Sequence, residues 1–306
     1  MSAAGRERAQ ARRRGALERA LGEPIAAALG EEAVVELLIN ADGELWLDRV
    51  GEGLSRTGCS YSIVERETAI RLLAHEAGEV VSEDNPALSA TLPQSAARVQ
   101  AVLPPLTTAP VLAIRKRPAR IFTLDDYVAQ GAATPGQAKL LGEAVAAKKN
   151  IVVAGGTGSG KTTLLNALLA EAPFREARVV ILEDTAELQC PSPNRVELLT
   201  RNRGPAVDMR MLVRMTMRLR PDRIVVGEVR DGAALEVLKA WNTGHPGGLL
   251  SLHANSARDA LHRLEDLAGE ASASAPTRLI AQAVDLVVFM QRTLSGRKIA
   301  ETLSLR

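Results

Sequence analysis

The stretch "GGTGSGKT", Gly155 to Thr162, constrains this chain more than any other. It fits G-x-x-x-x-G-K-[ST], follows the apolar run "NIVVA" and opens the helical run "TTLLNALLAEA". Strand, glycine-rich turn and helix in that order make a phosphate cradle. The glycines let successive backbone N–H groups point at anion oxygens, and the new helix adds its positive end. The nucleotide-binding residues read from it are Gly156, Thr157, Gly158, Ser159, Gly160, Lys161, Thr162 and Thr163. Lys161 is placed to reach the β- and γ-phosphates, and the Thr162 hydroxyl to ligate Mg²⁺, so ATP and Mg²⁺ are the cofactors expected.

From Thr134 onward short β-rich runs alternate with longer helical ones: "NIVVAG", "RVVILED", "RIVVGE" and "GLLSLHAN" with helical runs between them. That alternation predicts an α/β fold, a mainly parallel sheet flanked by helices. Thr134, Pro135 and Gln137 carry the start of its first helix, as cap, first-turn proline and capping-box partner.

Three further stretches end strands on the edge where open α/β sheets place ligands. "VVILEDTAEL" offers Glu183 and Asp184, to position water and ion; the plain alternative is that they cap the next helix. "RIVVGEVRD" lacks the aspartate that many phosphate-loop enzymes set at the strand tip to hold magnesium, and has Gly227 and then Glu228. Glu228 is assigned to the ion, against the alternative of a surface pair with Arg230. "NTGHPGGLLSLHAN" offers His253, to sense or stabilise the γ-phosphate, and the less committed His245. The catalytic candidates are thus Glu183, Glu228 and His253, and the metal candidates Thr162, Asp184 and Glu228. Arg214 and Arg218, four apart, are expected to share a helix face. Arg98, Arg115 and Arg117 are candidates to clamp nucleotide from the preceding domain.

That preceding part mixes α and β signals. "VVELLIN-ADG-ELWLDRV" reads as a hairpin about Asp42-Gly43. Ser62 to Gly78 reads as a helix with a Ser62/Glu65 capping box and apolar residues at Ile63, Ile70 and Leu73. The expected division is a helical segment over 1–30, a smaller α/β (α+β) domain over 31–118, a linker over 119–134 and the ATPase domain over 135–306. A mobile loop or short linker is expected over 269–276.

Composition narrows the function classes. Lysine plus arginine total 38 against 36 aspartate plus glutamate, which forecasts no strong steering toward nucleic acid. Aromatics at 2 % leave little for base stacking, so direct nucleic-acid binding is not expected. Two cysteines without ligand spacing fit a reducing cytosol better than a zinc site or a disulfide framework. No apolar run reaches membrane-spanning length; Arg12 to Arg14 are a candidate contact with anionic lipid, though such charge runs are ordinarily solvated.

Four stretches in this order, "GGTGSGKT", "ILEDTAELQ", "MRLRPDRIVVGEVRD" and "TGHPGGLLSLHAN", resemble the Walker A motif, acidic box, unusual Walker B motif and histidine box of the secretion (traffic) ATPases of the RecA-like class. "INADGELWLDRVGEG", "LPPLTTAPVLAIRKRPARIFTLDDYV" and "VDLVVFM" extend the likeness over nearly the whole chain, to the TrbB type of conjugal-transfer ATPase within that family. The resemblance implies a hexameric, ATP-hydrolysing motor at the cytoplasmic face of the inner membrane. Its partners would be inner-membrane components of a type IV secretion machine. It implies Glu183 as base or water-positioning residue, Glu228 as the Mg²⁺-linked acid, and Arg98 with Arg115 or Arg117 as arginines that reach the nucleotide. The rival readings are a type II secretion or type IV pilus motor, a DNA-stimulated RecA-like translocase, and a module that holds nucleotide without turnover.

Overall fold

The computed structural model describes residue 19 and residues 21–50, 52–92, 97–117, 120–201, 205–272, 276–293 and 296–306. Arg12 to Arg14 lie outside them, as do residues 273–275 of the expected loop at 269–276. The chain divides into two compact units, Met1–Ala119 and Arg120–Arg306.

In the first unit, helix α1 (residues 21–30) is followed by β1 (Val34–Ile39), β2 (Glu44–Arg49), β3 (Gly53–Ser60), α2 (Ile63–Glu76), β4 (Ala87–Thr91), β5 (Arg98–Val102) and β6 (Val111–Arg115). The strands form one antiparallel sheet in the order β3-β2-β1-β6-β5-β4. The β1–β2 turn is the one expected: Gly43 takes φ +87°, and Asp42 Oδ1 accepts from the Glu44 N–H at 3.0 Å. Helix α2 starts with the reciprocal Ser62/Glu65 cap and buries Ile70 and Leu73 against Leu37, Ile39 and Leu45. Ile63, grouped with them by its spacing, is instead 55 % exposed, because the first helical residue precedes the turn that meets the sheet.

The second unit contains α3 (Leu124–Ala129), α4 (Pro135–Ala146), β7 (Ile151–Gly155), α5 (Lys161–Leu169), α6 (Ala172–Arg175), β8 (Val179–Glu183), β9 (Arg195–Leu199), α7 (Met209–Thr216), β10 (Arg223–Val226), α8 (Ala233–Asn242), β11 (Leu249–Leu252), α9 (Ala257–Gly269), α10 (Thr277–Ala283), β12 (Leu286–Thr293) and β13 (Gly296–Ser304). The sheet order is β13-β12-β7-β11-β10-β8-β9, and every pairing is parallel except that of β12 with β13. The mainly parallel α/β core read from the alternation is therefore what the chain forms.

Strand alternation splits this core into two layers. Val152 and Ala154 of β7, with Ile224 and Val226 of β10, face α7, α8, α9 and α10. Ile151, Val153 and Val225 face α3, α4, α5 and Phe174 of α6. Both faces being covered explains why these strands read as continuous apolar runs. Helix α4 carries the Thr134 cap, Pro135 and Gln137 as expected. Part of the segment read as a linker forms α3, which has its own Thr123/Asp126 capping box and buries Leu124 and Tyr127 in the same layer as α4 and α5. Six residues are too few to print a helical period in the sequence.

Candidate functional site

The register of four neighbouring strands sets the site. In the pairing of β7 with β11, Ala154 stands opposite Leu252; in that of β10 with β8, Val226 stands opposite Leu182. The residues that follow each strand therefore share one edge. In sheet order they are the phosphate loop after β7, His253 after β11, Gly227-Glu228 after β10, and Glu183 with Asp184 at the end of β8.

Within the phosphate loop, Gly158 and Gly160 adopt φ of +70° and +97°, a region costly for any residue with a Cβ. A Cβ on Gly155 would run into Ser159 Oγ and the Met290 carbonyl. Gly160 precedes the first turn of α5, which begins with Lys161, Thr162 and Thr163. Lys161 is buried, and its Nζ donates to the carbonyls of Gly155 (3.0 Å) and Gly156 (3.1 Å). Burial, more than any neighbour, lowers its pKa; the Glu228 carboxylate opposes that shift. Ser159 Oγ is buried with no hydrogen-bond partner. A cradle without side chains, a buried ammonium and an orphaned hydroxyl fit a polyanionic ligand.

The acids are not equivalent. Glu183 is 5 % exposed, and its Oε1 accepts the backbone N–H groups of Glu187 and Leu188, each at 2.9 Å. Asp184 is more open: Oδ1 accepts from the Thr200 hydroxyl at 2.9 Å, and Oδ2 lies 3.8 Å from Arg230. Glu228 engages two partners, the Arg230 Nε at 2.6 Å and the His253 Nε2 at 2.7 Å. The pairing with Arg230, weighed above as an alternative to a role at the site, thus coexists with a place at the site. Gly227 explains the absent aspartate. A Cβ there would sit 2.9 Å from Glu183 Cγ, so the buried glutamate of β8 occupies the space a side chain on Gly227 would need.

Thr162 Oγ1 donates to Glu187 Oε2 at 3.2 Å, and the Asn166 side chain accepts the Gln189 N–H at 2.7 Å. Both contacts tie α5 to the loop after β8. Glu187, which faces the expected magnesium-ligating hydroxyl, and Arg230, which bridges two acids, were not singled out as site residues. The only signal for Glu187 was its place inside "EDTAEL". Among the described residues no three His, Cys, Asp or Glu side chains are gathered to hold a metal by themselves. The donors near Thr162 are hard oxygens, which suit Mg²⁺, an ion ordinarily held by one or two protein oxygens together with substrate phosphates.

Other candidates lie elsewhere. His245 approaches the Pro221 carbonyl at 3.1 Å, before β10 begins, and so sits by the opposite edge of the sheet. Arg214 pairs with Glu236 of α8 at 3.3 Å. Arg218 does not share its helix, because α7 ends at Thr216, whose hydroxyl bonds back to the Leu212 carbonyl. Arg98 and Arg115 stand directly opposite each other across the β5–β6 pair, and Arg117 follows β6; all three belong to the first unit.

Residues 67–298 match the family described as "Type II/IV secretion system protein". A conjugal transfer protein TrbB of Rhizobium radiobacter is 45 % identical over 293 residues, covering 94 % of this chain and 89 % of that protein. The type IV secretion system protein VirB11 of Bartonella quintana is 30 % identical, covering 91 % and 90 %. Among solved structures, the VirB11 ATPase of Brucella suis superposes with a TM-score of 0.50 at 29 % identity, covering 97 % of this chain and 96 % of that one. The Legionella pneumophila ATPase DotB, at TM-score 0.65 and 20 % identity, covering 91 % and 79 %, shares the fold.

Proposed function

Because this chain belongs to the type II/IV secretion system protein family, we propose that it is an ATP-hydrolysing motor subunit of a type IV secretion or conjugal-transfer apparatus. The reading rests above all on one observation. The phosphate loop, His253, Glu228 and Glu183 end four adjacent strands of one sheet.

In this reading the loop N–H groups and Lys161 hold the phosphates, and Lys161 releases the Gly155 and Gly156 carbonyls to do so. Mg²⁺, when bound, supplies charge neutralisation on the phosphates; Thr162, Glu228 and Asp184 are its protein-side oxygens. Glu183 is the base or water-positioning residue. Its Oε1 is engaged by two N–H groups, which fixes the carboxylate in place. His253, whose Nε2 lies 2.7 Å from Glu228 Oε1, reports on the γ-phosphate position. Arg98 with Arg115 or Arg117 are the further arginines proposed to contact nucleotide. Loss of the γ-phosphate is then the step that switches the motor's conformation and yields force.

The working form proposed is a hexameric ring, cytoplasmic and peripheral at the inner membrane, bound to inner-membrane components of the machine. Among the described residues no helix is long and apolar enough to cross a membrane. Steady-state phosphate release with Mg²⁺-ATP, measured with and without DNA, tests the reading. Turnover with no DNA stimulation is expected. Strong stimulation that fades steeply with salt would favour the translocase, and no turnover at all would leave a nucleotide-holding module.

A further inference from the structure

The phosphate loop is gripped from behind by a part of the chain that none of its motifs contains. Arg297, the second residue of β13, donates from Nε to the Gly158 carbonyl at 2.9 Å, across 139 residues of sequence. Its stem lies against the same loop: a Cβ on Gly160 would stand 3.2 Å from Arg297 Cδ. Arg292, its cross-strand partner on β12, brings Nη1 to 3.8 Å from where a Cβ on Gly158 would be. The strand itself is anchored. Ile299 N–H donates to the Ala132 carbonyl at 2.8 Å, and Gln137 Nε2 to the Ile299 carbonyl at 3.4 Å.

We propose that Arg297 is a positioning residue for nucleotide, holding the Gly158–Ser159 peptide so that the loop presents its N–H groups to phosphate. The reason is the planarity of the peptide unit. In a trans peptide the C=O and the following N–H point in opposite directions. Fixing the Gly158 oxygen on Arg297 therefore directs the Ser159 N–H away from the hairpin and into the loop, where it meets the Gly156 carbonyl at 3.3 Å. Gly158, at φ +70°, has no Cβ to restrict this peptide, and the Ser159 N–H contact with the Gly156 carbonyl is long at 3.3 Å. The inference rests on the nucleotide-site reading above, and it makes Arg297, alone of the β13 residues, part of the binding machinery.

The test is the affinity for a fluorescent ADP analogue and the KM-against-kcat split for ATP, in wild type, Arg297→Ala, Arg297→Lys and Lys298→Ala, with melting temperatures alongside. Arg297→Ala is expected to weaken ADP binding about five- to ten-fold and to raise KM more than it lowers kcat, as for loss of one charge-assisted hydrogen bond. Arg297→Lys keeps the stem and the charge but lacks the planar Nε donor, so it is expected to rescue melting temperature and not affinity. Lys298, exposed on the next position of the strand, is expected to leave affinity unchanged when replaced. Wild-type affinity in both Arg297 variants would overturn the inference, as would full rescue of affinity by lysine. Failure of the wild type to bind the analogue would instead overturn the nucleotide-site reading.

Discussion

Oε1 of Glu228 lies 2.7 Å from Nε2 of His253, so the acid after β10 and the histidine after β11 act as one unit. Burial lowers the His253 pKa, the positive charge of Lys161 lowers it further, Glu228 opposes, and Arg230 lowers it again. The net shift is downward from the ordinary histidine value, so the neutral imidazole is the form that the fold favours beside the carboxylate. A histidine whose folded pKa is depressed takes up its proton first in the unfolded chain as pH falls. Its contribution to stability is thus present above the ordinary value of about 6.5 and is lost as pH falls from there through the folded value. The melting temperature of wild type is expected to drop more steeply below about pH 6.5 than that of His253→Asn, which keeps a donor but does not titrate. Parallel melting curves from pH 5 to 8 for the two proteins would contradict the lowered pKa that burial and Lys161 impose on His253.

Gly227 and Glu183 compete for one space. Gly227→Ala would put a methyl 2.9 Å from Glu183 Cγ, closer than real contacts allow, and Glu183 is buried and holds two N–H groups. The expected result is a stability loss of about 1–3 kcal/mol, typical of overpacking, and a fall in turnover of about ten-fold or more from the displaced carboxylate. A double-mutant cycle checks the cause. Adding Gly227→Ala to Glu183→Ala should cost much less than adding it to wild type. Equal costs in both backgrounds would place the strain elsewhere.

The two glutamates should separate when each loses only its charge. Glu183→Gln retains an oxygen for the Glu187 and Leu188 N–H groups, so the loop after β8 should persist and nucleotide should still bind. Turnover is expected to fall about 10²-fold, the range for general acid–base groups. Glu228→Gln weakens its contacts with Arg230 and His253 and removes a proposed magnesium ligand. Its expected signature is a higher Mg²⁺ requirement together with lower turnover. Titrations of phosphate release against Mg²⁺ for both variants distinguish them, and identical Mg²⁺ curves would end the proposed division of roles.

The sequence announced what local chemistry can announce. The strand–glycine–helix order around Lys161, the Ser62/Glu65 and Thr134/Gln137 caps and the two-sided apolar strands each follow from residues close together in the chain. The edge shared by Glu183, Glu228 and His253 was legible because parallel strands put their C-terminal ends on one side. Contacts that depend on a neighbouring strand's register were not. Gly227 makes sense only once Glu183 is seen opposite it, and Thr162 meets Glu187 only because the loop after β8 folds back over α5. Arg297 reaches the loop from 139 residues away, a distance no period or motif spans. The end of α7 at Thr216, which separates Arg218 from Arg214, likewise escaped a four-residue spacing rule.

Lys161 offers the sharpest test of the site. It is 8 % exposed, and its ammonium is satisfied by the Gly155 and Gly156 carbonyls, which also hold the loop in shape before phosphate arrives. Lys161→Ala removes both the charge and that brace. Gly156 is exposed and its carbonyl can take water in the ammonium's place, whereas the Gly155 carbonyl is buried, so a stability loss of about 1–3 kcal/mol with the fold retained is expected. Turnover, by contrast, should fall about 10²–10³-fold, as for loss of a principal electrostatic group at a reacting centre. Lys161→Arg is a stricter case, since it keeps the charge. A planar guanidinium cannot replace a compact ammonium between two carbonyls, so activity should remain low despite the retained charge. Phosphate-release rates for the two variants, with circular dichroism to confirm the fold, are the measurement. If Lys161→Ala turned over ATP at the wild-type rate, the phosphate loop would not be where this protein does its chemistry.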